Sequence, residues 1–98
     1  MKKVEMEVYS DAVNAIVARY PGRKFPALML QGDDLNNMYK FVREIRRLSK
    51  KGWDFSLELD ALYSSMDSCM CHYEQVLLDN SLELPYRPNV IGDIDIYD

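Results

Sequence analysis

The chain has 98 residues, 48% of them hydrophobic and 29% charged, which suits one soluble globular domain rather than a disordered or collagen-like polymer. Twelve Lys and Arg against sixteen Asp and Glu leave a net charge of −4 and a pI near 4.9, which argues against a general nucleic-acid binder. No apolar run approaches the roughly 18–20 residues that cross a bilayer. Glu5 and Glu7 interrupt what would be the apolar region of a signal peptide, so a cytoplasmic protein with no membrane contact is expected.

In chain order, residues 4–9 alternate, with Val4, Met6 and Val8 on one side and Glu5, Glu7 and Tyr9 on the other, the period of a half-buried strand whose valine side faces the core. Ala12 to Tyr20 reads as a second strand, apolar on both sides and therefore central. Tyr20-Pro21-Gly22-Arg23 suits a type II turn, because proline sets φ at its second position and glycine permits a positive φ at its third. A third strand follows from Phe25 to Gln31, with Pro26 confined to its start or to an edge.

At Gln31-Gly32-Asp33-Asp34 the period changes to that of a helix carrying Leu35, Met38, Phe41, Val42, Ile45 and Leu48. Asp33 is its expected N-cap, and Arg46, Arg47, Lys50, Lys51 and then Gly52 mark its end. A second helix begins with Asp54 or Ser56 as N-cap and runs to about Asp79, where Asn80 offers a left-handed exit. Phe55, Leu59, Leu62, Met66, Cys69, Tyr73 and Val76 repeat along it at heptad spacing. The short connection implies an antiparallel helical hairpin, with a coiled coil between two copies as the competing explanation. Beyond Leu84, Pro85 and Pro88 exclude a helix, and the tail that follows alternates apolar and acidic residues.

The expected fold is therefore α+β. A three-stranded antiparallel β-meander over 3–31 packs against an antiparallel two-helix hairpin, its helices at 33–51 and 54–79, and an extended tail covers 80–98.

Charge is unevenly distributed. Residues 1–34 are neutral, 35–52 carry +5 and 53–98 carry −9. On one reading, Lys40, Arg43, Arg47 and Lys51 pair across the hairpin with Glu58, Asp67 or Glu74. On the other, the patches face a charged partner.

The residues that suggest chemistry are few. Cys69 and Cys71 lie two apart on a helix, roughly 200° around its axis, so they neither share a metal ion nor close a useful disulfide loop. His72 is the only histidine. Cys69 and His72 share a face, but on a helix buried along the Cys69 seam they offer a substrate no open site. No catalytic residue, metal or cofactor is expected, and an enzyme is the last choice.

The segment Arg19-Tyr20-Pro21-Gly22-Arg23-Lys24-Phe25-Pro26, followed by Gln31-Gly32-Asp33, resembles a family of small uncharacterised bacterial proteins over residues 4–50. The resemblance implies no activity. Pro21-Gly22, Phe25 and Gly32-Asp33 are explained by turns and anchoring. Arg19, Arg23 and Gln31 are left as a candidate polar surface or as hydrogen-bonding groups that hold the corner.

The leading functional expectation is a non-enzymatic protein-interaction module. Its most concrete form is an immunity-like protein that neutralises a basic bacterial toxin domain through an acidic surface of Glu58, Asp60, Asp67, Glu74, Asp79, Asp93 and Asp95. The alternative is a small-molecule or peptide-sensing domain with a pocket between sheet and helices lined by Tyr20, Phe25, Tyr39 and Tyr73. A protein partner is expected and nucleic acid is not; a homodimer is a further option, because a domain of this size has little core.

Overall fold

The computed structural model describes residues 1–11 and 15–87. The start of the expected second strand at 12–14 and the tail from 88, including Asp93 and Asp95, lie outside the described residues. Strands β1 (Glu7–Ser10), β2 (Ile16–Arg19) and β3 (Ala27–Met29) form one antiparallel sheet in the order β1-β2-β3, followed by α1 (Gly32–Lys50) and α2 (Ser56–Asp79). The α+β meander and hairpin are thus present.

The β2–β3 connection folds as its residues demand. Gly22 has φ +83°, and the Arg23 N–H donates to the Tyr20 carbonyl at 3.0 Å, closing the turn. As the central strand, β2 buries both Val17 and Ala18. The inward side of β1 differs from expectation. Val8 pairs with Ala18 and Ser10 with Val17, so Tyr9 is the extra residue of a bulge. Tyr9 packs against the core, while Val4, Met6 and Val8 are exposed. Val4 and Met6 precede the paired residues of β1, and within the pairing Val8 lies on the side of the sheet away from Val17 and the core.

Both helices end in Schellman motifs. At the end of α1 the Gly52 N–H donates to the Ser49 carbonyl and the Trp53 N–H to the Leu48 carbonyl, with Gly52 at φ +70°. At the end of α2 the Ser81 N–H donates to the Leu78 carbonyl and the Leu82 N–H to the Leu77 carbonyl at 2.9 Å. The left-handed residue there is Ser81, φ +56°, and not Asn80, whose side-chain amide instead donates to the Val76 carbonyl.

The helix starts also shift. α1 begins at Gly32 with Gln31 at its cap position, so Asp33 lies inside the first turn, accepting from the Asp34 N–H. Phe55 occupies the cap position of α2, although Asp54 still accepts from the backbone N–H and the hydroxyl of Ser56.

The core is small and lies at one end of the hairpin. Val17 from the sheet meets Tyr73, Val76 and Leu77 from the last turns of α2, and Tyr9, Leu28, Leu82, Leu84 and Tyr86 pack around them. The Tyr73 hydroxyl donates to the Pro26 carbonyl at 2.6 Å, and its ring stacks on Tyr86 with centroids 6.5 Å apart. His72 Nε2 lies 2.9 Å from the Ala15 carbonyl oxygen, which can only accept, so this nitrogen carries the proton and ties α2 to the entry of β2. α1 buries no residue at all. The sheet therefore does not cover the hairpin as a layer, and the buried core it shares with the hairpin lies where α2 ends.

Candidate interaction surface

Helical spacing sorts the side chains of the hairpin into stripes. On α2, Leu59, Tyr63, Met66, Met70, Tyr73 and Leu77 follow one another at 4-3-4-3-4 and so share one side. Tyr73 and Leu77 are buried under the sheet, Met70 is half-buried, and Leu59, Tyr63 and Met66 are exposed. One continuous stripe is thus core at its C-terminal end and open at the other.

On α1, Leu35, Tyr39 and Val42 repeat at 4-3 and are exposed, next to a seam of half-buried Met38, Phe41, Ile45 and Leu48. Each exposed stripe is rotated in the same sense, roughly 90°, from the seam its helix turns toward the other. In an antiparallel pair, that places both stripes on one broad face.

The heptad seam expected on α2 is consequently split. Leu62 and Cys69 are half-buried within the hairpin, while Leu59 and Met66 of the same repeat are exposed.

Charged groups border this surface without joining the helices. Among the described residues no ion pair links α1 to α2. Arg47 pairs with Glu44 on its own helix and, with Lys51, stands over the ring of exposed Trp53, while Arg43 lies 5.7 Å from the Tyr39 ring centre. Of the ion pairing expected across the hairpin, Glu58 attracts Arg47 without closing an ion pair, and the closer contacts are local.

The acidic residues expected to face a partner do not form one surface. Asp60 and Asp79 are exposed, Glu58 and Asp67 half-buried, and Glu74 is only 1% exposed, beside the Tyr86 hydroxyl. Arg19 is tied down, donating to the Glu7 carboxylate at 2.7 and 3.2 Å with its guanidinium over Tyr9. That bond holds the Glu7 carboxyl below its ordinary range. Arg23 and Gln31 are exposed.

A second feature is a cleft of roughly 590 Å³, lined by Ala15 and Leu30 from the sheet end, Asp34, Met38 and Phe41 from α1, and Ser65, Ser68 and Cys69 from α2, among others. The four aromatic residues expected to line a pocket do not converge there. Tyr73 belongs to the core, and Tyr20 and Tyr39 face solvent.

Both thiols are held in their protonated form. Burial, with the Asp34 carboxylate, pushes Cys69 up, and burial, with Asp67 and Glu74, pushes Cys71 up, so both hold their protons more tightly than free cysteine. Among the described residues, no three His, Cys, Asp or Glu side chains gather where they could hold a metal ion. No described helix is long and apolar enough to cross a membrane.

A family model described as a family of unknown function, DUF6959, matches residues 1–86. The chain belongs to DUF6959. The match takes in all three strands and both helices, well past the motif region around the β2–β3 turn. No curated protein and no solved structure matches this DUF6959 member.

The helical and heptad patterns of the sequence place Leu35, Val42, Leu59 and Met66 of the open face among the packing positions. The signal that separates them is arc width. On α1, the apolar residues from Leu48 round to Tyr39 span about 180°, more than the roughly 100° stripe that one neighbouring layer requires.

Proposed function

We propose that this DUF6959 chain is a non-enzymatic protein-interaction module that docks through the apolar face of its helical hairpin. The observation that carries the reading is the stripe on α2 that serves as core at Tyr73 and Leu77 and is open at Leu59, Tyr63 and Met66. Side chains of this type are buried where neighbouring structure reaches them, and contiguous apolar patches of this extent mark interaction sites on soluble proteins. The raised thiols, and the engagement of His72 with Ala15, favour binding over catalysis.

The experiment is site-specific photo-crosslinking in the native host. Benzoylphenylalanine at Tyr39 or Tyr63 is expected to capture a protein, and the same probe at Arg23, on the far turn, is not. No adduct at either tyrosine would sink the reading. Its narrower form, masking of a basic toxin domain, draws on the acid surplus after residue 53 and on Asp60 and Asp79, but has lost Glu74 to the interior.

The cleft between the helices supports a second reading, a small-molecule or peptide sensor. Its test is a ligand screen by NMR. Shifts clustering on Asn37, Phe41 and Ser68, which line the cleft, would favour it, and the lack of any such cluster would remove it.

A further inference from the structure

We propose that the occupant of the hairpin face is a second copy of this chain, in a two-fold dimer that lays α1 of each copy across α2 of the other. The proposal rests on reading that face as a docking surface, and goes further by saying what covers it.

Three observations point to self-association. The first is the arrangement of charge beside the stripes. On α1, Arg43 follows Tyr39 by four residues and Arg46 follows Val42 by four; on α2, Asp67 follows Tyr63 by four and Asp60 precedes it by three. Both helices therefore set an exposed tyrosine beside charge at the same helical offset, cationic on one and anionic on the other. A two-fold contact is made by one patch meeting itself, so a patch must supply both halves of every pair. With α1 across α2, the Arg43 and Arg46 flank of one copy runs beside the Asp60 and Asp67 flank of the other, and the match occurs twice. Laying α1 on α1 would instead set arginine against arginine.

The second observation is that these charges have no partner across the hairpin. The described ion pairs are Arg19 with Glu7 and Arg47 with Glu44, neither of which joins the two helices.

The third is area. Leu35, Tyr39, Val42, Leu59, Tyr63 and Met66 are between 46% and 69% exposed. Together with the charged residues that flank them they form a patch of several hundred Å², on the scale of the ~800 Å² that each partner contributes to an interface of standard size. This would also give α1, an amphipathic helix with no buried residue, an environment for its outer apolar arc.

The test is sedimentation equilibrium on the full chain from about 1 to about 100 µM, since self-association is read from its concentration dependence. The expected species has twice the 11.5 kDa chain mass. The double variant Val42→Glu, Met66→Glu should weaken association by about tenfold or more, whereas Leu57→Glu, off the face, should not change it. Far-UV circular dichroism checks that each variant is folded.

Two charge-reversed proteins give an arm that survives misfolding of the first variant. Arg43→Glu with Arg46→Glu, and Asp60→Lys with Asp67→Lys, should each be monomeric alone and should form a heterodimer when mixed, because each supplies the sign the other has lost. The proposal is overturned by a wild-type monomer throughout the range, by a dimer indifferent to the face variants, or by reversed proteins that fail to associate on mixing.

Failure here is distinguishable from failure of the broader reading. A monomer that still crosslinks a different protein through Tyr63 would remove the dimer and keep the docking face, whereas a monomer with no adduct at Tyr39 or Tyr63 would remove both.

Discussion

Tyr73 joins three parts of the molecule through one side chain: its hydroxyl reaches the Pro26 carbonyl at the start of β3, and its ring stacks on Tyr86 after α2. Tyr73→Phe keeps the ring and leaves a buried carbonyl short of a donor, which should cost about 1–3 kcal/mol in urea unfolding. Burial pushes the Tyr73 phenol above its ordinary value of 10.0, and burial with the adjacent Glu74 pushes Tyr86 up as well. A folded pKa above the unfolded one means that the native state holds the proton more tightly. The resulting stability is complete below about pH 10 and is lost as pH rises through the folded values. Unfolding midpoints measured upward from pH 9 should therefore fall, and Tyr86→Phe should flatten the decline. Glu7 behaves oppositely. Its hydrogen bond with Arg19 lowers the carboxyl below 4.5, so its contribution is present above that value and disappears as pH falls through the lower one. Glu7→Gln should remove this acid-side slope, measured by unfolding between pH 3 and pH 6.

At the level of elements, the helix ends supply a matched pair of expectations. Gly52 and Ser81 occupy equivalent left-handed positions, but only Gly52 lacks the Cβ that makes such a conformation costly. A Cβ at Gly52 would meet nothing within 4 Å, so Gly52→Ala isolates backbone strain and should destabilise by about 1 kcal/mol. Ser81→Gly should stabilise by a similar ~0.5–1 kcal/mol; thermal melts of the two variants check both signs. These elements also show how much the sequence discloses. The meander, the Pro21-Gly22 turn and both helices were legible because each is specified by residues a few positions apart. The Tyr9 bulge was not, since it exists only through the register of β1 on β2, and neither was the shift of the left-handed position from Asn80 to Ser81, where the amide found a carbonyl to bind instead. The interaction face was legible in composition and hidden in place. Leu59 and Met66 are spaced like Tyr73 and Val76, and only the position of the sheet at one end of α2 decides which of them are covered.

On the scale of the whole molecule, sensitivity to substitution should follow position along α2 rather than residue type. Leu77 is fully buried between sheet and helix, and Leu77→Ala should cost about 2–5 kcal/mol; Leu57 is 80% exposed, and Leu57→Ala should stay within about 0.5 kcal/mol, both read from chemical unfolding. The confinement of the buried residues of α2 to positions 73–77 has a consequence in time as well as in energy. With burial concentrated at one end, opening the hairpin tip need not disturb the sheet, and the backbone amides of α2 should exchange with solvent deuterium in a gradient, fastest near Leu59 and slowest near Val76. In a two-fold assembly the tip is held from both sides and the gradient flattens. Amide exchange at two protein concentrations would thus read the assembly state from within a single helix, residue by residue.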